Sequence, residues 1–336
     1  MKILVLTGLD PRKSFNPGGV RTYNLNLIKI ADYLGYDIDF YETKKIINLL
    51  RLNKKIYMSY DIILINVSVY DSGFIKLMYE LLRIKDKKVI VQCHGGSFHT
   101  LRFKTLYKLL FRKIINNKVD LFLVLNKTQK NSLKEKFMVS DNKILQIPNF
   151  VENSYDIKNK NIEGILKFFY IGRITEEKGI FDFAEAFMEI KNNNIEFNVV
   201  GAGPDEKRLL ALVKKDKRII YHGKKFGQEK EKLFHQNHVF IFLTRLQEGF
   251  PISVLEALNF GMCILSSRFP NSERLVINNY NGFIVERNKQ NIKNKIKYLI
   301  ENKELIKEFG MNSKTILEQN FSLEKQGIET YKFIFQ

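Results

Sequence analysis

Two carboxylates eight positions apart, Glu248 and Glu256, bracket the run Gly249-Phe-Pro-Ile-Ser-Val-Leu255. The apolar stretch Val239-Phe-Ile-Phe-Leu243 before them reads as a buried strand, Gly249 allows a turn, and Pro251 fixes φ for a first helical turn. Glu248 is therefore expected just outside a helix N-terminus and Glu256 within the helix. The unpaired N–H groups of such a turn attract anions, and a carboxylate accepts hydrogen bonds from hydroxyls. One short segment thus supplies both halves of a site for a ligand that is anionic at one end and hydroxylated at the other.

Further residues suit the same ligand. Gly172-Arg173-Ile-Thr-Glu-Glu-Lys178-Gly179 follows an apolar run and places two cations on a loop bounded by glycine. Arginine grips two oxygens with its planar fork and lysine acts as a point charge, a pairing matched to a diphosphate. Gly18 and Gly19, in Asn16-Pro-Gly-Gly-Val20, open a helix expected over 20–34 and closed by Gly35, so their backbone is a second anion site. His94, in Gln92-Cys-His-Gly-Gly96, follows another apolar run, and its glycine neighbours are expected to leave the ring accessible. Gly201 and Gly203, in Val199-Val-Gly-Ala-Gly-Pro204, lack the third glycine of a dinucleotide fingerprint, which weakens an NAD reading. Taken one at a time, these features equally suit a solvated cation pair, an ordinary Gly-containing loop and a structural histidine.

The elements that would position these groups recur in a regular alternation. Short apolar runs at 2–6, 37–41, 61–67, 88–92, 120–125 and 143–147 alternate with helical stretches, as in a parallel sheet covered by helices. The polar stretch 152–164 breaks the pattern, which restarts with runs at 166–171, 196–200, 218–221, 239–243, 262–266 and 282–285. The fold class expected is α/β with two doubly wound domains, at 1–155 and 156–321, and a closing helix over about 322–336. Ligands of such sheets bind at the carboxyl ends of the strands. At 336 residues, 45% apolar and with 27 phenylalanines, the chain can bury two cores. It has no run of the roughly 18 apolar residues that would span a bilayer. Cys93 and Cys263 sit in apolar runs away from any Cys/His cluster, so reduced buried thiols are expected and no metal site.

The order and spacing of Glu248 to Glu256, Gly172-Arg173 to Lys178-Gly179 and Gly18-Gly19 resemble retaining glycosyltransferases of the family 4 type, with the GT-B fold of two Rossmann-like domains facing across a cleft. The resemblance extends over nearly the whole chain and is most specific between 166 and 285. Pro148-Asn149 departs from it, because Phe150 stands where the family has glycine, and so does Gly261-Met-Cys-Ile264, which lacks a usual proline. The resemblance implies that the first domain binds acceptor and the second binds a nucleotide sugar. It also implies that the closing helix packs back on the first domain. Glu248 would contact the donor sugar and Glu256 the ribose hydroxyls, while Arg173 and Lys178 would clamp the diphosphate and His94 would hydrogen-bond the transferred sugar. Gly18, Gly19, Gly201, Gly203, Gly249, Phe250, Pro251 and Ile252 would line the donor.

The activity implied is retaining, metal-independent and cofactor-free transfer from a UDP-hexose or UDP-N-acetylhexosamine to a glycan or lipid-linked glycan, in bacterial capsule, O-antigen or exopolysaccharide synthesis. Two rivals are an epimerase or hydrolase of the same fold, which would act without an acceptor, and a basic nucleic-acid-binding protein suited to the net charge of +19. The latter lacks a recognised motif, so no nucleic-acid partner is expected. Residues 1–160 hold 28 Lys and Arg against 14 Asp and Glu, so the positive field belongs to the first half. Within it, Arg102, Lys104, Lys108, Arg112 and Lys113 fall on one side of a helix expected over 101–115, with Phe103, Leu106, Tyr107 and Leu110 on the other. Such a helix suits an anionic membrane surface, or else packs on its own sheet with a solvated basic face. A cytoplasmic protein is expected, with a peripheral place on the inner membrane face as the second option.

Overall fold

The computed structural model describes residues 1–13, 18–43, 48, 52–68, 71–94, 105–157, 160 and 162–336, with backbone alone at 68, 71–75 and 105–108. The chain divides into two compact units. The first comprises Met1–Phe150, Gln247–Phe250 and Leu323–Gln336; the second comprises Val151–Leu246 and Pro251–Ser322.

In the first unit six strands, β1 (Lys2–Thr7), β2 (Asp37–Glu42), β3 (Ile62–Ser68), β4 (Lys88–His94), β5 (Leu121–Val124) and β6 (Ile144–Gln146), form one sheet in the order β2-β1-β3-β4-β5-β6. Every pairing is parallel. Strands covered on both faces need apolar residues at successive positions, and Ile3, Leu4, Val5 and Leu6 are all buried, as are Ile62 to Ile65. The helix Gly19–Leu34 follows β1 and ends at Gly35, whose left-handed conformation turns its N–H back to the carbonyls of Ala31 and Asp32. The described part of the basic stretch lies in the helix Thr105–Lys118.

The second unit repeats the plan with β7 (Leu166–Arg173), β8 (Ile195–Ala202), β9 (Ile219–Tyr221), β10 (Val239–Phe242), β11 (Cys263–Ser266) and β12 (Gly282–Ile284) in the order β12-β11-β10-β7-β8-β9, again all parallel. Its core is rich in phenylalanine: Phe183 meets Phe197 at 4.6 Å between ring centroids and Phe168 at 5.4 Å, while Phe234 stacks on Phe260 at 5.1 Å. Such pairs each add about 0.5–1.5 kcal/mol beyond the area they bury. Cys93 and Cys263 are free and buried, and desolvation pushes both thiols up, away from reactivity.

The last segment differs from the single helix expected. A π-helical turn, Leu323–Ile328, precedes a helix over Glu329–Phe335. Tyr331 of that helix is wholly buried in the first unit, where its hydroxyl bonds that of Tyr23. The wider π turn brings Gly327 against the ring of Phe150, where a side chain would crowd the contact.

Candidate functional site

The switch point of the second sheet lies between β7 and β10, where the chain leaves two neighbouring strands in opposite lateral directions. Arg173 ends β7 beside Ala202 of β8, and Gly172 lies beside Gly201. A Cβ on Gly201 would stand 1.8 Å from the Gly172 carbonyl oxygen, so the close approach of the two strand ends is what requires glycine there. Gly203 meets the Ile174 carbonyl in the same way, at 2.1 Å.

Beyond Arg173 the chain makes a 3-10 turn, Glu176–Lys178, and Gly179 enters the helix Ile180–Met188 at φ 69°. A Cβ at Gly179 would lie 1.9 Å from the carbonyl oxygen of Leu243, which follows β10, so the cation loop rests directly on the end of that strand. Arg245 completes the join: its backbone N–H donates to the Glu177 carbonyl at 2.7 Å, and its guanidinium pairs with Asp182 at 2.7 Å and Glu176 at 3.2 Å. Arg208 also holds Glu176 and Glu185. The Glu176 carboxylate is thereby occupied. Arg173 is exposed with no ion pair among the described residues, and Lys178 is half-buried on the same turn.

Glu256 lies on the helix Ile252–Asn259. Pro251 takes the N-cap position at ψ 118° instead of the first helical turn expected, and its carbonyl accepts from Val254 and Leu255 at 3.2 and 3.3 Å. No side chain caps this helix. Glu256 Oε1 accepts from Lys230 Nζ at 2.6 Å, with the two side chains 17% and 24% exposed. Lys230 comes from the helix Gly227–Gln236 and was missed in the sequence, where it sits among alternating charges with nothing to set it apart.

Glu248, Gly249 and Phe250 belong to the first unit. Glu248 is half-buried, and two asparagines hold the backbone after it: Asn126 Nδ2 donates to the Gly249 carbonyl at 3.3 Å and Asn149 Nδ2 to the buried Phe250 carbonyl at 2.6 Å. Asn126 also caps the helix Lys127–Phe137 by accepting from Gln129 N–H at 2.8 Å, while Gln129 Oε1 accepts from Leu125 N–H at 2.8 Å. An asparagine followed three positions later by glutamine after a strand is the signal that would have found it.

Gly18, at φ 153°, caps the helix after β1 without a side-chain bond, and both Gly18 and Gly19 are exposed; Asn16 and Pro17 lie outside the described residues. His94 departs from expectation, because its ring is buried at the end of β4. Tyr23 packs edge-on against it at 4.5 Å, and Nε2 has no hydrogen-bond partner among the described residues. Burial drives its pKa down to about 3, so it is a neutral imidazole at ordinary pH. Tyr23 in turn donates to Gln92 Oε1 at 3.1 Å. Gly95 and Gly96 lie outside the described residues.

Of the basic stretch, Arg102 and Lys104 lie outside the described residues, and of Lys108 only the backbone is described. Arg112 is half-buried and Lys113 exposed. Phe111 and Ile115 turn inward, while Leu110, expected on the apolar face, is 56% exposed together with Leu109. Among the described residues no group of three or more His, Cys, Asp or Glu is arranged to hold a metal ion, and no helix is long and apolar enough to cross a membrane.

Two doubly wound α/β units, the second ending its strands in a cation loop and a carboxylate helix, define a protein of the GT-B class. A crystal structure of Anabaena HepE in complex with UDP and glucose shares this fold at a TM-score of 0.77 and 15% identity, over 99% of both chains. Residues 152–316 match the family model described as glycosyl transferases group 1. An uncharacterised glycosyltransferase of Methanocaldococcus jannaschii is 27% identical across 93% of this chain and 85% of its own length. Two further relatives match in part. The UDP-Gal:alpha-D-GlcNAc-diphosphoundecaprenol alpha-1,3-galactosyltransferase of Escherichia coli is 29% identical over 60% of this chain and 56% of its own. The capsular polysaccharide biosynthesis glycosyltransferase CapM of Staphylococcus aureus is 27% identical over 56% and 48%. Residues 152–316 are thus similar to the glycosyl transferases group 1, and the chain is a glycosyltransferase.

Proposed function

We propose that this enzyme transfers a hexose or N-acetylhexosamine from a UDP-sugar to an acceptor hydroxyl, with retention at the anomeric carbon and without a metal, in the assembly of a bacterial surface polysaccharide on a lipid diphosphate. The observation that carries the reading is the pairing, within one unit, of the exposed Arg173 on its Gly-bounded loop with the carboxylate of Glu256 on the Ile252–Asn259 helix. A nucleoside diphosphate presents the complementary groups, an anionic diphosphate and a ribose diol. The UDP-galactose donor and diphosphoundecaprenol acceptor named for the Escherichia coli relative support the donor and acceptor classes, and CapM supports the polysaccharide.

In this reading the barrier falls chiefly through stabilisation of charge on the leaving diphosphate. Arg173, Lys178 and the N–H group at Ile252, all of the second unit, take that task, in a manner worth several kcal/mol for groups fixed in advance. Glu248 positions the donor sugar, Glu256 holds the ribose, and a leaving phosphate oxygen takes the acceptor proton on the same face of the sugar. His94, neutral, serves as a hydrogen-bonding group without carrying charge. The exposed Leu109 and Leu110 next to Arg112 and Lys113 support docking of the Thr105–Lys118 helix on anionic lipid. Failure to co-sediment with anionic vesicles at low salt would dismiss that docking. Calorimetric titration of UDP, GDP and NAD into wild type and Glu256→Ala tests the main reading. UDP binding that is weakened in the variant is expected, and absence of nucleotide binding by wild type would overturn it.

A further inference from the structure

We infer that Lys230 is a positioning residue that sets the enzyme's selectivity for the ribose hydroxyls of its nucleotide. The inference rests on the reading of Glu256 as the ribose-binding carboxylate. Lys230 and Glu256 meet at 2.6 Å from different helices, Gly227–Gln236 and Ile252–Asn259, and both side chains are mostly withdrawn from water. Left without a partner, this carboxylate would swing among rotamers. The ammonium holds it in one.

Only Oε1 is taken by Lys230, and no bond to Oε2 occurs among the described residues. A carboxylate offers about four acceptor directions, so a single lysine contact leaves room for two hydroxyl donors. The ammonium also offsets the carboxylate's repulsion of a diphosphate bound on Arg173. The two carboxylates of the Gly227–Gln236 helix are engaged elsewhere: Glu229 pairs with Lys225 at 2.7 Å, and Glu231 accepts from Tyr155 at 3.4 Å. Lys230 is the member of this helix that the structure commits to Glu256. Its role is distinct from that of a phosphate cation, because its ammonium is spent on the carboxylate.

The distinction can be measured with UDP and 2′,3′-dideoxy-UDP as probes. Wild type should prefer UDP by about a hundredfold or more, each hydroxyl donated to a carboxylate being worth about tenfold or more. Glu256→Ala should abolish the preference. Lys230→Met, which keeps the stem and removes the charge, should lower it at least fivefold and raise KM for the UDP-sugar more than it lowers kcat, whereas Lys230→Arg should preserve it. If the methionine variant does not fold, Lys230→Gln reads the same ratio. A variant that folds and retains the full preference, while Glu256→Ala loses it, would reduce Lys230 to a structural ion pair. A preference undiminished in Glu256→Ala would overturn the ribose role of Glu256 and this inference with it.

Discussion

Arg173 offers a separation of binding from stability. Its side chain is exposed and forms no ion pair among the described residues, in contrast to Arg208 and Arg245, which knit the same loop to its surroundings. Replacement by alanine removes no buried contact, so folding stability should stay within about 0.5 kcal/mol of wild type, the usual range for such a surface change. The lost charged hydrogen bond to a diphosphate is worth about 1.5–3 kcal/mol. At 1.4 kcal/mol per decade this predicts UDP binding weaker by roughly 10-fold to 150-fold. Uridine, which lacks phosphate, should bind both proteins alike. Calorimetry with both ligands and a thermal scan of the free protein give the answer together. Equal UDP affinity in Arg173→Ala, at an unchanged melting temperature, would refute the clamp. Arg245→Ala is the useful contrast, since it should loosen the loop and cost both stability and affinity.

Gly201→Ala should destabilise the protein by about 3 kcal/mol or more, because its Cβ would meet the Gly172 carbonyl at 1.8 Å; an unaltered thermal midpoint would contradict the strand-end geometry. Asn149→Ala removes the bond that Asn149 donates to the buried Phe250 carbonyl, at a cost of about 1–3 kcal/mol, and should lower kcat while UDP affinity stays within about twofold. Equal losses in kcat and UDP binding would show that the asparagine does not act through the Glu248 loop. His94 gives a pH signature. Its pKa is held down to about 3 in the folded protein, so the unfolded chain takes up a proton below about 6.5 that the native state refuses. Its contribution to stability is present above pH 6.5 and lost as pH falls toward 3. Denaturant titrations across that window should show a slope up to one proton shallower in His94→Gln, and parallel curves would place the ring in water.

The strands were legible because sheets buried on both faces need uninterrupted apolar runs, and Ile62 to Ile65 or Val239 to Phe242 carry that signature without help from distant residues. The cation loop and the helix of Glu256 followed from glycine and proline placement next to those strands. What stayed hidden was set by contacts far apart in sequence. Nothing beside His94 announces that Tyr23 will cover its ring. The pairing of Lys230 with Glu256 spans two helices and a strand, and charge alone could not choose it from its neighbours. Pro251 shows the limit of a local rule: its φ of −72° suits a helix, yet its ψ of 118° keeps it one residue outside. Leu110 was placed by periodicity on an apolar face that would meet a membrane surface or its own sheet, and the turn carrying Phe111 and Ile115 is the one that packs.

The bond between Tyr23 and Tyr331 joins residues 308 positions apart. On a ribosome adding about 5–20 residues per second, Tyr331 follows Tyr23 by roughly 15–60 s. In that interval every strand of the second sheet is made. The first unit to begin emerging is therefore the last to be completed, with the partner hydroxyl of Tyr23 and the packing of Phe150 against Tyr331 both waiting for it. A nascent chain halted within the second sheet leaves the rings of Tyr23 and Phe150 without the cover of Tyr331, an apolar surface through which a stalled or truncated product would invite chaperones or aggregate.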